Sequence, residues 1–229
     1  MQGTLYGVGI GPGDAELLTL KAVRIIQEAD CIAVPGMKKE ETVAWQITIQ
    51  AVPEIAGKEC LEIHMPMTKD KEELQKSHEA AAEQVAAALA AGKNVAFLTL
   101  GDPCIYSTYL YVHKRILAMG YPAAIISGIP SFCAAAAKMN TGLVEKSEPL
   151  HVIPASYQIA DALKLPGTKV LMKAGRKMRD VKQQLQQMDN AETLMIENCG
   201  MPGEKLYYGA EEIPETAGYY SLIIVKERD

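Results

Sequence analysis

Apolar residues along this chain follow two rhythms. Short unbroken runs alternate with stretches where they recur every three or four residues, and this alternation persists to the end. Residues 4–10 form the first run and stop at Gly11-Pro12-Gly13-Asp14. Beyond it, Leu17-Leu18, Lys21-Ala22 and Ile25-Ile26 return at four-residue steps, which predicts a helix over 15–28. Asp14 suits its start, and Glu16 favours its positive end. The same reading predicts strands over 30–35, 61–65 and 94–100 and helices over 41–52 and 71–91, the last stopped by Gly92. Strand 94–100 feeds a Gly101-Asp102-Pro103 corner and a helical pattern that runs to about Met119.

Strands separated by helices predict an α/β fold with parallel pairing. In such sheets ligands sit outside the carboxyl ends of the strands, so the corner after residue 100 is the first place to seek a site. The pattern changes after Gly120-Tyr121-Pro122, which divides the chain into domains 1–122 and 123–229. The second half predicts strands over 123–127, 150–154, 168–173, 192–197, 206–210 and 219–225. Its helices are expected over 132–139 and 178–188.

Composition narrows the chemistry. The chain has 229 residues and a net charge of −5, with no basic tail or arginine-rich segment, which argues against nucleic acid as a partner. No apolar run suggests a membrane span and no secretory signal is evident, so a cytoplasmic place is expected. Five scattered cysteines without a Cys-x-x-Cys agree with a reducing compartment, and four scattered histidines give no metal-ligand spacing. The glycines before residue 15 invite a dinucleotide reading, but both registers fail: the third glycine would fall on Pro12 or on Asp14. Two uses remain for that loop. It is a tight turn between strand and helix, or it lets backbone approach an uncharged or cationic ligand.

Two segments taken together resemble a known family. Gly7-Val8-Gly9-Ile10-Gly11-Pro12-Gly13-Asp14 with Leu17-Leu18-Thr19-Leu20-Lys21-Ala22 is similar to the first signature of the tetrapyrrole methylases, S-adenosylmethionine-dependent enzymes of the class III fold. Leu98 to Thr108 is similar to their second signature, and Gly128-Ile129-Pro130-Ser131-Phe132 to a looser third. Within the family, Thr4 to Gly9, Leu171 to Arg176 and Tyr220 to Val225 most resemble the branch acting at C-20 of precorrin-2 or cobalt-factor II. The resemblance implies a two-domain tetrapyrrole methylase fold with an active-site trough between the domains, a homodimer, and a tetrapyrrole substrate that itself carries any cobalt. It implies a pocket for S-adenosyl-L-methionine built from Pro12, Leu100, Gly101, Asp102, Ile105, Pro130, Ser131 and Ala174.

Each residue also has a plainer use. Asp102-Pro103 fits the N-cap and first turn of a helix, and Ser107 and Thr108 its start. Lys173, Arg176, Lys177 and Arg179 suit either substrate carboxylates or solvent. Tyr106, Tyr109 and Tyr111 suit ring stacking or core packing, and His113 and His151 suit packing or the surface. Cys104 is not read as a nucleophile. Asp102, Tyr106 or water is left as acceptor of the meso proton. Competing functions are methylation at another ring position, a methylase of the same fold acting on modified protein or ribosomal RNA, and a nicotinamide-binding or non-enzymatic α/β protein.

Overall fold

The computed structural model describes residues 2–155, 159–188 and 190–227, with the side chain of Arg176 outside the described set. The chain separates into two units, Met1–Pro130 and Ser131–Asp229.

The first unit holds a five-stranded sheet. Its strands are β1 (Leu5–Gly9), β2 (Cys31–Pro35), β3 (Glu59–Ile63), β4 (Val95–Thr99) and β5 (Ala123–Ile126). Their order is β3-β2-β4-β1-β5 and every pairing is parallel. Four helices connect them: α1 (Leu20–Glu28), α2 (Val43–Ala51), α3 (Lys71–Ala90) and α4 (Tyr109–Ala118).

Side chains on these strands alternate between two cores. Ile32 and Val34 of β2 and Ala96 and Leu98 of β4 join α1 and α2 on one face. Cys31, Ala33, Val95 and Phe97 join α3 and α4 on the other. A sheet buried on both faces explains why its strands read as continuous apolar runs.

Side chains set the helix starts. Thr19 Oγ1 accepts from the amide of Ala22, Thr42 Oγ1 from that of Trp45, and Asp70 Oδ1 from those of Glu72 and Glu73. The helix expected over 15–28 is therefore two pieces. Asp14 caps a short 3-10 turn, Ala15–Leu17, and Thr19 takes an extended backbone and starts α1 anew. Two capping residues five positions apart each nucleate their own turn.

The domain boundary expected after residue 122 moves to Pro130. Ala123–Ile126 pairs in parallel with β1, which ties it to the first sheet.

In the second unit the sheet is mixed. Strands β6 (Leu150–Pro154), β7 (Thr168–Met172), β8 (Ala191–Glu197), β9 (Lys205–Tyr208) and β10 (Ser221–Glu227) lie in the order β6-β7-β10-β8-β9. Only β6 and β7 run parallel. Helix α5 (Ser131–Lys138) packs against β10, and α6 (Met178–Gln186) buries Met178, Val181 and Leu185 against Leu171, Met195 and Ile223. Lys169 of β7 is an exception inside this sheet. It is 1% exposed, and its ammonium donates to Glu227 Oε1 at 3.0 Å.

Candidate active site

The carboxyl ends of β1, β4 and β5 meet at three glycines. Gly11 and Gly101 form an isolated bridge: the Gly101 amide donates to the Gly11 carbonyl at 2.8 Å, and the Gly11 amide to the Gly101 carbonyl at 3.3 Å. Both have left-handed backbones, φ +74° and +72°, which a side chain would strain. Gly128, after β5, fits against the same place. A Cβ on it would stand 2.2 Å from the Gly101 carbonyl oxygen, and one on Gly9 would stand 2.5 Å from the Gly128 nitrogen. These glycines let three loops touch backbone to backbone.

Asp102 locks the corner. It is 9% exposed, and both its oxygens accept backbone amides: Oδ1 from Cys104 at 2.7 Å and Oδ2 from Gly128 at 3.0 Å. The expected N-cap role is therefore corrected. Helix α4 starts later, at Tyr109, because Asp102 folds residues 102–104 into an Asx-type turn and Tyr106 adopts a left-handed φ of +49°. Ser107 does serve the helix start, its Oγ accepting from the Tyr109 amide at 3.2 Å, while Thr108 makes no side-chain cap. Thr99, the last residue of β4, is buried and its hydroxyl has no hydrogen-bond partner.

Comparison with known proteins identifies this arrangement. The family described as Tetrapyrrole (Corrin/Porphyrin) Methylases matches residues 4–213. The chain belongs to the tetrapyrrole methylases. A protein of Methanocaldococcus jannaschii named probable cobalt-precorrin-2 C(20)-methyltransferase is 35% identical over 97% of this chain and 95% of its own. A precorrin-2 C(20)-methyltransferase of a Sinorhizobium species is 32% identical over 97% and 95%. The uroporphyrin-III C-methyl transferase of Thermus thermophilus, solved with S-adenosylhomocysteine, shares the fold at a TM-score of 0.71 and 22% identity, covering 98% of both chains.

In this methylase the expected cofactor residues fall in both units. Gly101 and Asp102 are brought to Gly11-Pro12 by the glycine bridge, and Pro12 is buried. Leu100 packs half-buried against the α1–α2 core, and Ile105 and Pro130 are half-buried in the first unit. Ser131 opens α5, and Ala174 is fully buried after β7. Gly175 beside it allows close approach: a Cβ there would stand 2.6 Å from the Gly218 carbonyl oxygen. Sequence reading missed Gly9 and Gly128 as contact points, since their partners lie far along the chain.

The remaining candidates have mostly structural work. Tyr109 is fully buried, and its hydroxyl lies 2.9 Å from His113 Nδ1 and donates to the Ala124 carbonyl at 3.3 Å; burial pushes this phenol up. Its ring occupies the space a side chain at Gly7 would need. Tyr111 is exposed on one side and stacks on His78 at 4.4 Å, and Tyr106 is exposed. His151 Nε2 contacts the Pro166 carbonyl at 3.0 Å.

Half-buried Lys173 lies over the Tyr219 ring, and exposed Arg179 pairs with Glu215 at 3.1 Å. Lys177 is exposed, and the side chain of Arg176 lies outside the described residues. The Cys104 thiol is exposed and pushed up by partial burial and by Asp102, which suits no nucleophilic role. Among the described residues no group of three His, Cys, Asp or Glu is placed to hold a metal, and no helix is long and apolar enough to cross a membrane.

Proposed function

We propose that this chain transfers a methyl group from S-adenosylmethionine to the C-20 meso carbon of precorrin-2 or its cobalt complex. The observation that carries this reading is near-full-length identity of 32–35% with relatives named for that reaction. One relative is named for a cobalt substrate and the other is not, so any cobalt is treated as substrate. When bound, the donor supplies a sulfonium-activated methyl group. Pro12, Leu100, Gly101, Asp102, Ile105 and Pro130 of the first unit, with Ser131 and Ala174 of the second, are the residues proposed to hold it.

The residues fit such a donor. A sulfonium loses its charge as the methyl group leaves, so a free carboxylate at its side would stabilise the reactant more than the transition state. Asp102 is the acid of the corner, and its charge is spread into two backbone amides. Two buried hydroxyls without partners, on Thr99 and Ser221, leave polar capacity for a ligand. The glycine bridge ties its two loops by a pair of backbone hydrogen bonds, and alignment of reacting groups can lower a barrier by roughly 7–11 kcal/mol. A homodimer and a cytoplasmic place are part of the same proposal.

The test is direct. Purified protein is incubated with S-adenosylmethionine and precorrin-2, with and without cobalt, and the product is weighed and mapped by NMR. One methyl group at C-20 is expected. A methyl group elsewhere overturns the position, and no gain with any tetrapyrrole overturns the activity.

A further inference from the structure

The loops that follow three neighbouring strands carry exposed apolar side chains. Strands β4, β2 and β3 lie side by side and parallel, so their carboxyl ends share one edge of the first sheet. Tyr106 follows β4 and is 48% exposed, Met37 follows β2 and is 67% exposed, and Met67 follows β3 and is 69% exposed. Single exposed apolar residues are ordinary, but these three sit in successive loops of one edge. Two intervals between neighbouring strands give that edge a span of about 10 Å.

Local structure keeps both methionines out of the core. The Gly36 amide donates to the Ile63 carbonyl at 2.9 Å, and the Lys39 amide to Glu62 Oε1 at 2.8 Å. The loop after β2 is thus pinned to β3 on either side of Met37. Beyond β3, Met65 packs against the α3–α4 core, whereas Met67, on the far side of Pro66, stays exposed. Lys38 is neutralised by Glu41 at 2.8 Å, so this rim offers little net positive charge.

We propose that Met37 and Met67 form a thioether platform for one face of the tetrapyrrole ring, continuing the line from Tyr106. The inference rests on a tetrapyrrole being the methyl acceptor. Gly101 and Asp102 follow β4, so an acceptor beside a donor held there extends along this edge toward β2 and β3. Thioethers are flexible and polarizable, and their contacts with aromatic rings are favourable. A nucleic acid would instead need a basic rim. Thioethers are also neutral, so the platform supports the ring itself, and precorrin-2 and its cobalt complex rest on it alike.

The test makes Met37→Ala, Met67→Ala and the double variant in the whole chain. One readout is KM and kcat for precorrin-2 and for its cobalt complex. The other needs no turnover: quenching of Trp45, the one tryptophan, as either tetrapyrrole is added. Each single variant is expected to raise KM and the dissociation constant by a factor of about three to ten, equally with and without cobalt. The value of kcat is kept, because the contact is the same in ground and transition states. Leucine at either position, with similar bulk, restores most of the loss. Affinity for S-adenosylhomocysteine and the melting temperature stay unchanged, since both side chains are exposed. Met119→Ala is the control. It is 47% exposed where α4 ends, before β5 begins, at the opposite edge of the sheet, and it changes none of these values.

Unchanged KM and quenching in the double variant overturn the platform. So does a loss confined to the cobalt complex and not restored by leucine, which would make a thioether a metal ligand. A changed sedimentation coefficient with KM intact also overturns it, and gives the face to a second copy of the chain. Failure of the unaltered protein to bind or methylate any tetrapyrrole would instead sink the acceptor reading itself.

Discussion

The two sheets are built differently at the edge where β1, β4 and β5 end and at the edge where β7 and β8 end and β10 begins. In the first unit, β1, β4 and β5 end in glycines packed against one another, and one buried aspartate ties the loops by two backbone amides. In the second, β8 and β10 present a carboxylate and an unpaired hydroxyl, and β7 runs into a buried alanine. One edge is built by removing side chains until backbones touch. The other keeps side chains with hydrogen-bonding capacity left over. The first edge should therefore be intolerant of added atoms, and the second sensitive mainly to lost polar atoms.

The largest effect should come from Gly128→Ala. Its methyl group would stand 2.2 Å from the Gly101 carbonyl oxygen, and backbone cannot swing aside as a flexible side chain can. A loss of about 3 kcal/mol in stability is expected, together with loss of S-adenosylhomocysteine binding, read by denaturant unfolding and calorimetry. Gly218→Ala in the second unit is the control. Nothing lies within 4 Å of its Cβ position, so a change within about 0.5 kcal/mol is expected. Equal effects would break the contrast between the two edges.

Next comes Asp102→Ala. It leaves the buried Gly128 amide without its acceptor, at a cost of about 2 kcal/mol, and weakens donor binding. Unchanged affinity in a folded variant would confine Asp102 to holding the loop.

The smallest effect separates the units by pH. Burial, ahead of the nearby charges, pushes the Cys31 and Cys60 thiols of the first unit up to about 11 from 9.0. A group held neutral by folding contributes its stability below its unfolded value and loses it as pH rises through the folded one. The first unit should therefore weaken between about pH 9 and 11. In the second unit the Lys169 ammonium holds the Glu227 carboxyl below the usual range. That contribution is present above the ordinary glutamate value of about 4.3 and fades as pH falls through the lowered one. Hydrogen exchange followed across pH should show alkaline loss in β2 and acid loss in β7. The reverse order would remove this distinction.

Much of the architecture was legible from the residue pattern. Strand and helix positions agree to within a few residues at β2, α3 and β6, because periodicity and caps are local properties. The misjudged helices lie where two local preferences compete, as at Asp14 and Thr19, or where a side chain folds back on its own turn, as at Asp102. The boundary near residue 122 was misplaced because β5 earns its place by pairing with a strand over a hundred residues earlier.

The sequence by itself determined the alternation of strand and helix, the two buried faces of the parallel sheet, and the glycine and aspartate residues available for a corner. Those follow from spacing and from what each residue type can do alone. Only the tertiary structure decided that Gly9, Gly101 and Gly128 exclude side chains from one another's path, that Asp102 serves Gly128 rather than a helix, and that Ser221 is buried opposite Glu197 without a partner. Such facts depend on which distant backbone arrives alongside, and no local preference encodes that.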